Sequence, residues 1–211
     1  MPGGWLRKVV VRCALRFVCG AAAALPLGVV AQAQPEQLQE GTATGTFAVY
    51  HSDQPWLPVS FEYPAGWQVE PSSGTTEAYS QVQIYAPASV ENRLRSYLVV
   101  RMFPTQDRGG PYASVQEMVD SYRKTLLPTL KIDKEEQIEV QGVPAMCLDV
   151  SGTMRLPWNS QKARPIPAKS QRVFLGKSRW LYEIAWTATP EAAPEVEAAF
   201  ARLLKTLTLG R

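Results

Sequence analysis

Histidines, cysteines and clustered carboxylates are where chemistry is sought first, and this chain offers few of them. It has one histidine, His51, and three cysteines in 211 residues. A soft or imidazole-rich metal site usually takes about three or four such ligands, so no multi-His/Cys centre is expected. His51 stands beside Ser52-Asp53. Alone before a strand, it reads as a solvated loop residue rather than as one ligand of a weak site. A serine triad would need His51 as its base, and no Gly-x-Ser-x-Gly elbow is present to hold the nucleophile. Only a Ser-Lys or carboxylate mechanism would escape the shortage of histidine. Cys147 sits in Met146-Cys147-Leu148-Asp149-Val150, where strand alternation puts Met146, Leu148 and Val150 on one face and Cys147 with Asp149 on the other. With no base beside it to lower its pKa, it reads as a small packed residue. Gly109-Gly110-Pro111 lacks the Lys-Ser/Thr of a phosphate loop and reads as a loop before a helix. The sequence therefore points to no catalytic residue, no cofactor and no metal.

Charge is more informative. From Arg155 to Arg179 the chain carries seven bases, Arg155, Lys162, Arg164, Lys169, Arg172, Lys177 and Arg179, and no acid. Trp158 lies among them in Leu156-Pro157-Trp158-Asn159, a proline-punctuated stretch where no periodicity demands burial. These eight residues are the candidate interaction surface, suited to an acidic envelope protein or an anionic membrane, where each near-surface base contributes roughly 1 kcal/mol of attraction. The competing reading is a solvated hairpin whose bases pair with nearby acids. Four other tryptophans, Trp56, Trp67, Trp180 and Trp186, lie beyond residue 33. Trp180, Tyr182, Ile184 and Trp186 alternate with Leu181, Glu183, Ala185 and Thr187, so the first set is the expected core under a helix rather than a ligand platform.

The amino terminus reads as a targeting segment. Arg7, Lys8, Arg12 and Arg16 precede an uncharged apolar run from Phe17 to Val30, followed by Ala31-Gln32-Ala33, a small-x-small cleavage pattern. The run is shorter than the roughly 20 residues of a membrane span and contains Pro26 and Gly28, so cleavage after Ala33 is expected rather than an anchor. The formal charge of the whole chain is +3, and those four bases account for it: the remainder has 18 basic and 19 acidic residues, net −1. No global basic pull toward nucleic acid exists. Cys13 and Cys19 leave with the signal, so Cys147 is the lone thiol of the exported chain and an intramolecular disulfide is impossible. Residues 34–45, QPEQLQEGTATG, are polar and aperiodic, as expected of a tether. With 45% apolar and 19% charged residues, 46–211 is expected to be one globular domain.

The elements that must position these residues are strands and two helices. Strand alternation runs through Val59 to Tyr63, a turn at Pro64-Ala65-Gly66, then Trp67 to Val69; Gln81 to Ala86 and Tyr97 to Phe103 are further strands. Ser114-Val115-Gln116-Glu117 is a capping box. It opens a helix whose Val115, Met118, Val119, Tyr122 and Leu126 share one face, ended near Leu127 by Pro128. Glu136 to Val140, a turn at Gln141-Gly142, Ala145 to Met154, a long proline-rich loop, Ser170 to Leu175, a turn at Gly176-Lys177-Ser178 and Trp180 to Thr187 follow as antiparallel hairpins. Thr189-Pro190-Glu191 starts a second helix, delayed by Pro194, with Val196, Ala199, Phe200, Leu203 and Leu204 on its apolar face. The expected class is α+β, an antiparallel sheet flanked by helices.

The phrase Phe61-Glu62-Tyr63-Pro64-Ala65-Gly66-Trp67-Gln68-Val69, the mid-chain helix, the hairpin Val140-Gln141-Gly142-Val143-Pro144-Ala145 and the closing strand pair and helix resemble the PsbP-like and DcrB-like exported domains. The resemblance spans about Thr46 to Leu209. It implies a PsbP-like α/β/α sandwich, export to the periplasm or beyond the cell, and a non-catalytic accessory role in assembling or protecting a larger complex. Some photosystem-bound members hold divalent cations through histidine and carboxylates; no corresponding motif occurs here, and a photosynthetic role is not carried over. The alternative function is a small-molecule or lipid-binding module, since five tryptophans and a domain of this size leave room for a pocket. The exported form is expected to begin at Gln34 and to be soluble. N-terminal sequencing of the exported protein checks this, and Met1 retained in a membrane pellet would overturn it.

Overall fold

The computed structural model describes residues 46–52, 57–73, 79–88, 94–156 and 163–210. Alternating apolar residues at Val82/Ile84, Leu98/Val100/Met102 and Tyr182/Ile184/Trp186 are all buried on one side of a seven-stranded antiparallel sheet. Its members are β3 (Gln68–Ser73), β4 (Ser80–Tyr85), β5 (Tyr97–Pro104), β6 (Leu130–Val140), β7 (Val143–Leu156), β8 (Arg164–Lys177) and β9 (Trp180–Ala188), in the order β3-β4-β5-β9-β8-β7-β6. The sheet is two meanders, β3 to β5 and β6 to β9, joined where β5 pairs with β9. A smaller antiparallel sheet holds β1 (Phe47–His51), β2 (Val59–Pro64) and β10 (Thr208–Leu209) in the order β1-β2-β10. All described residues fall in one compact unit.

Helix α1 (Val115–Thr125) lies in the connection between the meanders, and α2 (Ala193–Thr206) follows β9. At the start of α1 the Ser114 hydroxyl accepts the Glu117 amide at 3.2 Å, as the capping box requires. The Glu117 carboxylate reaches one residue further back than expected and accepts the Ala113 amide at 2.7 Å. Leu126 then leaves the helix in extended conformation, ahead of Pro128. In α2 the side chains of Val196, Ala199, Phe200 and Leu203 pack with Ile84, Leu98, Val100, Tyr182, Ile184 and Trp186, and with Val59 and Phe61 of the small sheet. Each fully buried large apolar side chain is worth roughly 1.5–3 kcal/mol. The opposite face carries a second core, Met118 and Val119 of α1 against Phe103, Leu148, Val150, Phe174 and Leu181. The α+β class thus holds, with antiparallel sheet dominating and the helices contributing less than a symmetric sandwich would require.

The strand-turn-strand at Pro64-Ala65-Gly66 is present, with the Trp67 amide donating to the Pro64 carbonyl at 3.2 Å, and it passes the chain from the small sheet to the large one. Two expectations need correcting. The proline-rich stretch is largely strand: β7 and β8 pair as far as Leu156 opposite Arg164, with Pro165 opposite Arg155 and Pro167 opposite Thr153. Prolines fit because β9 ends at Ala188, opposite Lys169, so residues 164–168 form a sheet edge. The cap at Thr189 is replaced by Ala192, without a side-chain cap, though Pro194 does lie in the first turn.

Two turns show why particular residues sit where they do. Gln141 and Gly142 both have positive φ, 51° and 77°, the two-residue turn that suits antiparallel strand twist. The Gln141 amide nitrogen donates to the carbonyls of Leu204 and Lys205 at 3.1 and 2.6 Å, closing the open end of α2. Gly152, at φ 148°, lets the chain entering β6 come close: an added Cβ would lie 2.2 Å from the Thr129 carbonyl oxygen. Gly152→Ala is therefore expected to lower the free energy of urea unfolding by about 1–3 kcal/mol. Gly176→Ala, whose new carbon meets only side-chain tips at 3.2 and 3.3 Å, should cost less. Equal losses at the two sites would contradict this packing.

Candidate functional site

The candidate interaction residues do not form one patch. Lys162 and Trp158 lie outside the described residues. Arg155, Arg164 and Lys169 are exposed on the β7–β8 hairpin, and Arg155 donates to the Ala163 carbonyl at 3.1 Å. Arg179 is exposed in the β8–β9 turn, and Lys177 donates to the Leu209 carbonyl at 3.0 Å. At about 3.3 Å per strand residue, that end of β8 is roughly 40 Å from Arg164. Arg172 is not a solvated base at all: it faces inward beneath α1.

There the structure assembles a charged cleft that no local motif announces. On β5, Arg101 stands directly opposite Glu183 of β9, and Arg172 is on β8 one strand further along the same face. Arg101 donates through Nη1 to one Glu183 oxygen at 2.9 Å, and Arg172 donates through Nη1 to the other in a shorter contact. Glu183 is 6% exposed. Burial opposes its charge, but Arg172 and Arg101 outweigh burial and hold its carboxyl below the ordinary glutamate range. Burial likewise works against Arg172, and Glu183 more than offsets it. The Tyr122 ring of α1 lies 4.7 Å from the Arg172 guanidinium, and the Tyr79 ring 5.7 Å from that of Arg101. Burial raises the Tyr122 phenol, with Arg172 opposing. Around these groups is a cleft of about 350 Å³, walled also by Phe103, Tyr112, Met118 and Phe174, with Ser121 and Thr125 on the helix side.

The signal for this site was present but ambiguous: Arg101 is the single charge in the apolar run YLVVRMF, and Glu183 the single charge in WLYEIAW. Cys147, by contrast, is buried on the α2 face, and burial pushes its thiol up to about 12, so it is a packed residue and a poor nucleophile. His51 ends β1 and is exposed. Among the described residues no group of three or more His, Cys, Asp or Glu side chains is placed to hold a metal ion. No described helix is long and apolar enough to cross a membrane.

This architecture is PsbP-like. It is shared with the solution structure of cyanobacterial PsbP (CyanoP) from Synechocystis sp. PCC 6803, at TM-score 0.51 and 11% identity over 82% of this chain and 96% of that one. It is shared too with LpqN of Mycobacterium tuberculosis, at TM-score 0.51 and 12% identity over 79% and 91%. No protein-family model and no curated protein matches the sequence.

The triad gives two linked expectations. Glu183→Ala leaves two guanidiniums uncompensated beneath α1 and should destabilise the fold by about 3–5 kcal/mol. Because the folded carboxyl is held below the ordinary value of 4.5, the unfolded chain binds the proton first. The stabilisation is complete above that value and is lost as pH falls through the lower folded one. Urea midpoints should therefore drop below about pH 4.5 in the parent and fall less steeply in Glu183→Gln. Parallel pH profiles would contradict the assignment.

Proposed function

We propose that this chain is an exported, non-catalytic accessory or interaction domain of the cell envelope, freed by signal cleavage near Ala33 and docking on an acidic protein or anionic membrane to help assemble or protect a larger complex. The observation that carries the docking surface is a two-stranded arm. β6 starts opposite Gly152, Thr129 just ahead of it still bonds Thr153, and β9 ends opposite Lys169, so residues 154–156 and 164–168 continue past both neighbours. At about 3.3 Å per residue the paired arm reaches roughly 10–16 Å beyond the sheet. Arg155 and Arg164 lie on it and Lys169 at its root, Trp158 and Lys162 belong to its connecting segment, and no acid occurs in that span. Two supports are independent of the arm: the amino-terminal targeting pattern, and the fold held in common with LpqN, a protein involved in cell envelope biogenesis. A second reading, a small-molecule-binding module, is favoured by the cleft beneath α1.

Electrostatic docking weakens with salt, because the Debye length shortens from about 10 Å at 0.1 M to about 3 Å at 1 M. Binding to vesicles containing anionic lipid, or to envelope extract, should therefore collapse in high salt. Reversing Lys162, Arg164 and Lys169 to glutamate should weaken it with little change in melting temperature, since exposed charges add little stability. Trp158→Ala should shorten residence time more than it slows encounter. Binding that survives the triple reversal would remove the arm from consideration.

A further inference from the structure

The cleft between α1 and the large sheet lies on the sheet face rather than on the arm, and it carries an unbalanced charge. Its charged lining is Arg101, Arg172 and Glu183. Both Glu183 oxygens are engaged, one by each arginine, so two positive charges share one negative charge. Asp120 of α1 and Glu135 of β6 do not correct this: each is bound by Arg123 at 2.5 Å, and neither lines the cleft. Arg101 also donates through Nε to Gln81 at 2.9 Å, a neutral acceptor that adds no charge. Arg172 Nε is fully enclosed and has no hydrogen-bond partner among the described residues. The two arginine side chains keep 24% and 17% of their surface exposed, and both line the cleft.

Partly desolvated charges are ordinarily paired, and the lining of this cleft is one unit of negative charge short. We propose that the cleft binds a small aromatic monoanion bearing one carboxylate, with Arg101 and Arg172 receiving the carboxylate and the ring packing among Tyr79, Phe103, Tyr112 and Tyr122. A monoanion balances the site, whereas a phosphate dianion would leave it net negative beside Glu183. Tyr79, Phe103 and Tyr112 are in mutual ring contact, with centroids 5.2 and 5.5 Å apart, and so present one continuous aromatic wall on which a planar body can pack. The volume, about 350 Å³, is at the small end of the range of ligand pockets and suits one or two rings rather than an acyl chain or a peptide. Because the site shares no residue with the arm, it stands or falls separately from the docking surface.

The test is a titration of the full exported chain with benzoate, followed by nitrogen-proton NMR. Saturable shifts should appear at the Arg101 and Arg172 Nε–H signals and at α1 amides. Neutral benzyl alcohol, which keeps the ring and loses the charge-assisted pair, and inorganic phosphate, which is anionic but has no ring and overcharges the site as the dianion, should each bind at least about tenfold more weakly. Arg101→Gln, at the more exposed arginine, should weaken benzoate by a similar factor while the spectrum stays folded. No saturation by about 10 mM benzoate would overturn the proposal. So would equal affinity for benzyl alcohol, stronger binding of phosphate, or shifts confined to the arm.

Discussion

A buried carboxylate at the seam between two meanders is the interaction on which the sheet depends. Among the described residues β5 and β9 form the only pairing between the first meander and the second in the large sheet, and Glu183 sits in that pairing directly opposite Arg101. Arg172, from the next strand, completes the bridge. The triad therefore joins β5, β9 and β8, drawn from both halves of the sheet. It also selects the register. Slipping β5 by one residue against β9 would turn Arg101 toward the α2 face, where Leu98, Val100 and Met102 are at most 1% exposed. An unpaired guanidinium there would cost several kcal/mol, so the slipped pairing is excluded even though an apolar run such as YLVVRMF would otherwise tolerate it.

The two faces of the sheet do different work. The α2 face is apolar almost throughout, with Phe200 and Leu203 of the helix fitted against β5 and β9, and its few polar atoms are enclosed. The Tyr182 hydroxyl and Trp186 Nε1 are buried without a hydrogen-bond partner among the described residues, and burial pushes the Tyr182 phenol up to about 12. Such groups have no solvent-facing use and act as core. The α1 face has a smaller apolar cluster and places its charges beside it. α1 supplies only Met118 and Val119 as fully buried anchors. A short helix over a charged floor leaves a cleft with charge in its lining.

Much of this was legible because alternation and turn chemistry are local. The strands at Val59, Gln81, Tyr97 and Trp180, the serine cap at Ser114 and the turn at Gln141-Gly142 all follow from residues a few positions apart. The illegible parts are long-range. β10 is two residues, recognisable only by its pairing with β2, and the division into two sheets at Gly66 has no local mark. Pro165 and Pro167 suggested a loop because only the end of β9 reveals that they lie on an edge. Arg101, Arg172 and Glu183 are up to 82 positions apart, and their shared face follows from the strand order. Glu183 could have been suspected from its neighbours: Leu181 and Ala185 share its face, so the face opposite the aromatic core is itself apolar, as in a strand covered on both sides.

A run of like charges in sequence therefore divides into groups with different physics. Of the seven bases between Arg155 and Arg179, Arg172 lies in the cleft beside Glu183, Lys177 is tied to the Leu209 carbonyl, and Arg179 lies at the far end of β8. What remains for the arm is Arg155, Lys162, Arg164 and Lys169, four bases in a span of 15 residues without an acid. Exposed charges of that kind act over a Debye length and govern encounter, so they favour a surface over a shape. The cleft arginines are held by Glu183, Gln81 and two tyrosine rings, which fixes their geometry and shields them from salt. A desolvated, oriented charge discriminates by fit and by charge count. The formal excess of base is thus divided between an exposed arm, for which we propose docking, and an enclosed cleft, for which we propose a monoanion, and binding at one need not report on the other.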